Sequence, residues 1–127
     1  MKKLTAVCLA ALLLAAWAVP VWAGPKPEAD RNDGVGAYYE EDYARAFKEF
    51  WALAEQGDAG GQFGLGVLYG NGKGVPLDYV QAYMWLNLAA DQGHKDAGNF
   101  RDVLAKKMTP AQIAEAKRLA RDWRLGK

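Results

Sequence analysis

Residues 61–97 read GQFGLGVLYGNGKGVPLDYVQAYMWLNLAADQGHKDA, and the placing of small, aromatic and capping residues within them decides the fold. Asp78 is a good helix N-cap, and Tyr79, Ala82, Tyr83, Leu86, Ala89 and Ala90 follow at steps of three and four until Gly93 ends the run. Met84, Trp85 and Leu88 widen the apolar surface to a second side, which predicts a helix flanked by neighbours on both sides. Upstream, Ala59 to Tyr69 carries Phe63, Leu65, Val67, Leu68 and Tyr69, interrupted by Gly61, Gly64 and Gly66. Each such glycine lowers helix propensity by about 1 kcal/mol relative to alanine. The compensation expected is a neighbouring helix close enough to leave no room for a side chain. Between the two helices, Gly70-Asn71-Gly72-Lys73-Gly74-Val75-Pro76-Leu77 is a turn, because its glycines permit left-handed capping and Pro76 stops the first helix from continuing.

The second helix of this hairpin has a near-copy earlier in the chain. A shift of 36 positions lays residues 42–57 on residues 78–93 and matches Asp42/Asp78, Tyr43/Tyr79, Ala46/Ala82, Ala54/Ala90, Gln56/Gln92 and Gly57/Gly93. Six identities in 16 positions, where chance gives roughly one, mark a stacked repeat. The last third keeps the layout more loosely. Lys95 to Lys107 has Ala97, Phe100, Val103 and Leu104 on one face, and a second helix starts at Thr109-Pro110-Ala111-Gln112 as a capping box, with Met108 stapling against Ile113. Ile113, Ala116, Leu119, Ala120 and Trp123 then form one stripe. No stretch alternates with period two over a useful length, so the fold class expected is all-α, without a sheet.

Lys2 and Lys3 precede an uncharged stretch from Leu4 to Pro25 that contains Leu12, Leu13 and Leu14 and ends on Val21-Trp22-Ala23. This is the layout of a secretory signal peptide, residues 1–23, with cleavage after Ala23. The competing reading is an uncleaved membrane anchor, since a spanning helix needs about 20 apolar residues. Either carries the remainder across a membrane, and the localisation expected is periplasmic or secreted. Residues 24–33 (GPKPEADRND) read as a linker running into a short helix, and residues 34–127 as the domain. The cleaved chain would have no cysteine, so no disulfide or cysteine zinc site is expected, and its core alone must hold it.

The pattern Gly61, Leu65, Gly66, Tyr69, Gly72, Gly74, Val75, Asp78, followed by Ala82, Trp85, Ala89, Ala90, Gly93 and Ala97, resembles the Sel-one-like repeat family, relatives of the tetratricopeptide repeats. The full pattern covers one unit, 61–97. The first unit keeps only its second helix, preceded by a short helix near Asp30 to Tyr39, and the last lacks the glycine loop and has Arg101 in place of leucine. The resemblance implies about three helix pairs in a right-handed α-α superhelix, whose first helices line a concave protein-binding surface. Carried over from the related tetratricopeptide helices, that surface would hold Phe63, Val67 and Asn71, joined by Asn99, Val103 and Lys106.

Catalytic chemistry finds little to work with. Beyond residue 23 there is no serine or cysteine, one threonine and one histidine, which leaves the usual nucleophile and base pairs unassembled. Thr109 is explained as a cap. His94, after Gly93, reads as a helix-end residue that favours terminal carbonyls. Glu40, Glu41 and Asp42 are consecutive in a turn, with Asp42 matching the cap Asp78, and Gly70–Gly74 lacks the strand and Lys-Ser/Thr ending of a phosphate loop. No metal and no cofactor are expected. Asp30 to Glu41 fails the register of a calcium loop, because Val35 stands where glycine is required.

The whole chain has a net charge of only +1, which argues against a nucleic-acid partner. Its distribution is uneven: residues 28–94 sum to −7 and residues 95–127 to +5. This is solvated surface, a site for an acidic partner on the terminal helices, or the basis of head-to-tail self-association. The function expected is an exported, non-catalytic scaffold for a protein or peptide, with membrane contact only through the leading segment. One alternative follows from the resemblance: some exported members are cell-wall-related enzymes or β-lactam-binding proteins, but those are cysteine-rich and this chain is not. Another is an accessory subunit of a larger envelope assembly.

Overall fold

The computed structural model describes residues 30–127. The expected signal peptide, its cleavage site and most of the expected linker lie outside the described residues. Within them are six helices and no strand: α1 Arg31–Tyr39, α2 Tyr43–Glu55, α3 Ala59–Asn71, α4 Tyr79–Asp91, α5 Lys95–Ala105 and α6 Pro110–Arg124. Helix α1 begins at Arg31, where the linker was expected to run into a short helix near Asp30 to Tyr39. Asp30 supplies the reason: its carboxylate accepts the Asn32 N–H at 2.8 Å and starts α1 there.

Side-chain caps set the other boundaries. Asp42, Asp58 and Asp78 accept the N–H groups of Arg45, Gly61 and Gln81 at 3.2, 2.8 and 3.0 Å, so one device opens three successive helices. Thr109 and Gln112 exchange hydrogen bonds at the start of α6, and Met108 is buried beside Ile113, which completes the capping box and staple. At the exit of α3, Gly72 takes φ +63°, the left-handed conformation expected there.

The helices form two layers. Each helix from α1 to α4 packs against the next, α1 touches α3, and α3 touches α5. The first helix of each pair therefore lies beside the first helix of its neighbour, as in a helical-repeat solenoid. The second layer is tied by aromatic rings: Phe47 stacks on Trp51 in α2, Trp51 meets Trp85 of α4 edge-on at 5.8 Å, and Trp85 meets Trp123 of α6 at 5.9 Å. Helix α4 is buried at Ala82, Tyr83, Met84, Trp85, Leu86, Leu88 and Ala89, which matches a helix flanked on both sides. The third pair is looser than its predecessors, since α6 packs on α4 and only marginally on α5.

The glycines of α3 behave as contact surfaces. A Cβ on Gly64 would sit 2.5 Å from the Phe50 ring of α2, and one on Gly66 would sit 2.5 Å from Leu86 of α4. Helix α3 thus approaches both neighbours along side-chain-free stripes, and the burial gained offsets its poor intrinsic propensity. A repeated side chain also links successive turns of the stack. Gln92 Nε2 donates to the Gly57 carbonyl and to Oε1 of the fully buried Gln62, each at 2.9 Å, joining the corner after α2 to the corner after α4.

Candidate protein-binding groove

The layer of first helices carries a groove of about 330 Å³ between α1 and α3. Val35, Tyr38 and Tyr39 form the α1 wall, Phe63, Gly64 and Val67 the α3 wall, and Phe50 of α2 lies between them. The walls follow from helical spacing: Val35 and Tyr39 are four apart on α1, and Phe63 and Val67 four apart on α3, so each pair faces one way. Tyr39 is 80% exposed and Val35 41%, and what marks them is that they lie together on one wall of the groove, not singly. The floor can approach this closely because Gly64 has no side chain to separate α3 from Phe50.

Charge and an imidazole close one end. Arg31 and Asp58 form an ion pair at 2.5 Å that ties α1 to the start of α3. Burial raises the Asp58 carboxyl, but the Arg31 hydrogen bond and charge together with the Gly61 N–H outweigh it, so the group lies below the usual carboxylate range. The Asp58 hydrogen bond and charge hold the Arg31 guanidinium above its ordinary value. His94 stacks on Phe63 with ring centroids 4.5 Å apart, and its Nδ1 accepts the Ala97 N–H at 3.1 Å. His94 is therefore the N-cap of α5 and not a helix-end residue aimed at carbonyls, and its ring also lines the groove.

Of the six residues expected to bind a partner, the structure gathers two. Phe63 and Val67 are half-buried in the groove. Asn71 is the last residue of α3, exposed and outside it. Asn99 and Val103 on α5 and Lys106 at its C-cap are exposed, away from the groove lining. Val35, Tyr38 and Tyr39 were missed by repeat spacing because α1 does not follow the repeat pattern. The signal available was the Val35/Tyr39 spacing itself.

A second, more open depression of about 370 Å³ lies between Phe47, Lys48, Trp51 and Tyr69, whose rings belong to the aromatic packing around α2. Among the described residues no group of three or more histidine, cysteine, aspartate or glutamate side chains is placed to hold a metal ion. Among the same residues no helix is long and apolar enough to cross a membrane.

With the α3–α4 hairpin and its glycine corner in view, comparison with known families adds one finding: residues 59–94 match the model of the Sel1 repeat. The chain carries a Sel1 repeat. The matched span begins at the first residue of α3, crosses the corner and α4, and ends on the cap of α5, so family unit and structural hairpin coincide. A Sel1 repeat is a helical-repeat scaffold for protein–protein interaction. Comparison with curated proteins gave no significant match.

Proposed function

We propose that this chain is an exported, non-catalytic scaffold that holds a segment of a partner protein in the groove between α1 and α3. The observation that carries the reading is the groove itself: five apolar or aromatic side chains, Val35, Tyr38, Tyr39, Phe63 and Val67, facing one another across about 330 Å³ of open space. That volume is at the lower end of ligand sites, roughly 300–1,000 Å³, and fits an apolar anchor of a peptide. The Sel1 repeat supports the same reading, as does the use of His94 and Thr109 as helix caps.

A photo-crosslinking residue at Val67 tests the groove in cells, with mass spectrometry to identify what is captured. A partner should be captured from Val67 and lost when Phe63→Ala or Tyr39→Ala is added. Capture from Val103 alone, or capture indifferent to Phe63→Ala, would place the binding surface elsewhere. Turnover of peptidoglycan fragments or β-lactams by the purified protein would refute the non-catalytic part. Sequencing the N-terminus of protein recovered from cells tests export, with Gly24 the expected first residue.

A further inference from the structure

Charge in this molecule is sorted by unit. Residues 30–58, the first unit, sum to −5; residues 59–94 sum to −1; and residues 95–127, the last unit, sum to +5. Local ion pairs do not remove the imbalance. Arg45 pairs with Glu40, Arg118 with Glu115 and Asp122, and Arg124 with Asp91, yet among the described residues Glu41, Glu49 and Glu55 at one end and Lys106, Lys107 and Lys117 at the other make no ion pair. Helix layers about 8–10 Å apart put the first and last units roughly 20 Å from each other. This exceeds the screening length of about 8 Å at physiological salt, so the two poles do not neutralise each other within one chain.

Among the described residues, both poles also present helix faces with no neighbour. Helices α1 and α2 pack on each other and on α3, and no other described helix covers their outer side. At the opposite end α6 lies on α4 and leaves α5 open, with Val103 51% exposed between Asn99 and Lys106. A stack of repeats buries such end faces by adding another unit.

We infer that the protein associates with a second copy of itself head to tail, the basic last unit of one copy, through Lys106, Lys107 and Lys117, docking on the acidic first unit of the next, through Glu41, Glu49 and Glu55. The contact joins two different surfaces, so each added copy leaves one of each free and the association does not close on itself as a twofold dimer would. It is independent of the α1/α3 groove reading, and the residues varied below do not line that groove.

Sedimentation velocity across a range of protein and salt concentrations tests the proposal. In low salt the average mass should climb with protein concentration, and at about 1 M salt, where screening reaches about 3 Å, it should return to that of one chain. Mass that stays at one chain throughout, or association that persists or grows with salt as apolar aggregation through the leading segment would, overturns the proposal. A charge swap makes the interface specific. Lys106→Glu with Lys107→Glu and Lys117→Glu gives a chain acidic at both ends, and Glu41→Lys with Glu49→Lys and Glu55→Lys gives one basic at both ends. Each variant alone should remain a single chain while an equimolar mixture associates. Self-association of either variant alone, or a mixture that stays dissociated while the unaltered protein associates, refutes the assignment of the two faces.

Discussion

Substituting Gly64 by alanine sets intrinsic helix propensity against packing, and the structure fixes which wins. Propensity alone favours alanine by about 1 kcal/mol. The new Cβ, however, would sit 2.5–2.6 Å from three atoms of the Phe50 ring, inside any real carbon–carbon contact. Phe50 is only 4% exposed and its ring is rigid, so relief requires moving α2 away from α3. Overpacking of this kind costs about 1–3 kcal/mol, and subtracting the propensity gain leaves a net loss of roughly 1 kcal/mol. Gly98→Ala in α5 is the internal control. Its Cβ meets only Ala90 at 3.7 Å and Arg101 at 4.0 Å, both ordinary contacts, so the full propensity gain of about 1 kcal/mol should appear. Urea unfolding measures both, with the midpoint moving down for Gly64→Ala and up for Gly98→Ala at unchanged slope. Adding Phe50→Leu should recover part of the Gly64→Ala loss, seen as a favourable coupling in a double-mutant cycle. If Gly64→Ala instead stabilised the protein as much as Gly98→Ala, close helix approach would not be the reason for glycine in α3.

Three further outcomes follow from the caps and the groove. Thr109→Ala removes one half of the capping box and should destabilise the protein by about 1 kcal/mol, read from the urea midpoint. Because Asp58 titrates below the ordinary carboxylate range in the folded chain, its contribution is complete above the unfolded value of about 3.9 and is lost as pH falls through the lower folded value. An Asp58→Asn variant should therefore show a shallower loss of stability on acidification below about pH 4 than the unaltered protein. Tyr39→Ala should leave the unfolding free energy from urea titration within about 0.5 kcal/mol, since the side chain is 80% exposed, while weakening partner binding by roughly 30-fold or more, as loss of an aromatic anchor does.

The hairpin of α3 and α4 was legible because its local and tertiary demands agree. Asp78 caps, Gly72 turns, Pro76 blocks, and the apolar residues of α4 point to neighbours on both sides, so boundaries and burial could be read from spacing. The starts of α2 and α6 were legible from Asp42 and Thr109 for the same reason. His94 was misread because a residue after a helix-ending glycine can close one helix or open the next. Only the position of the Ala97 N–H against Nδ1 decides between them. The open face of α5 was likewise outside the reach of spacing, since it depends on α6 crossing to α4, a choice made by Trp123 against Trp85 and by Ala116 and Ala120 in the two apolar clusters.

The groove was half legible for a reason rooted in what a repeat is. Positions that recur at the 36-residue interval serve contacts that every unit must make: Ala46 and Ala82 are buried in the packing, Asp42 and Asp78 cap, Gly57 and Gly93 turn, and Gln92 links two corners. A residue committed to stacking is not free to hold a partner. The groove accordingly draws its exposed wall from α1, the helix that departs furthest from the pattern, where Val35 and Tyr39 have no counterpart in α3 or α5. Exchanging Val35 and Tyr39 together for alanine should then abolish partner capture while leaving the folded hairpins intact by circular dichroism. Loss of binding from substitutions on α5 alone would show that the specific surface was not built from these departures.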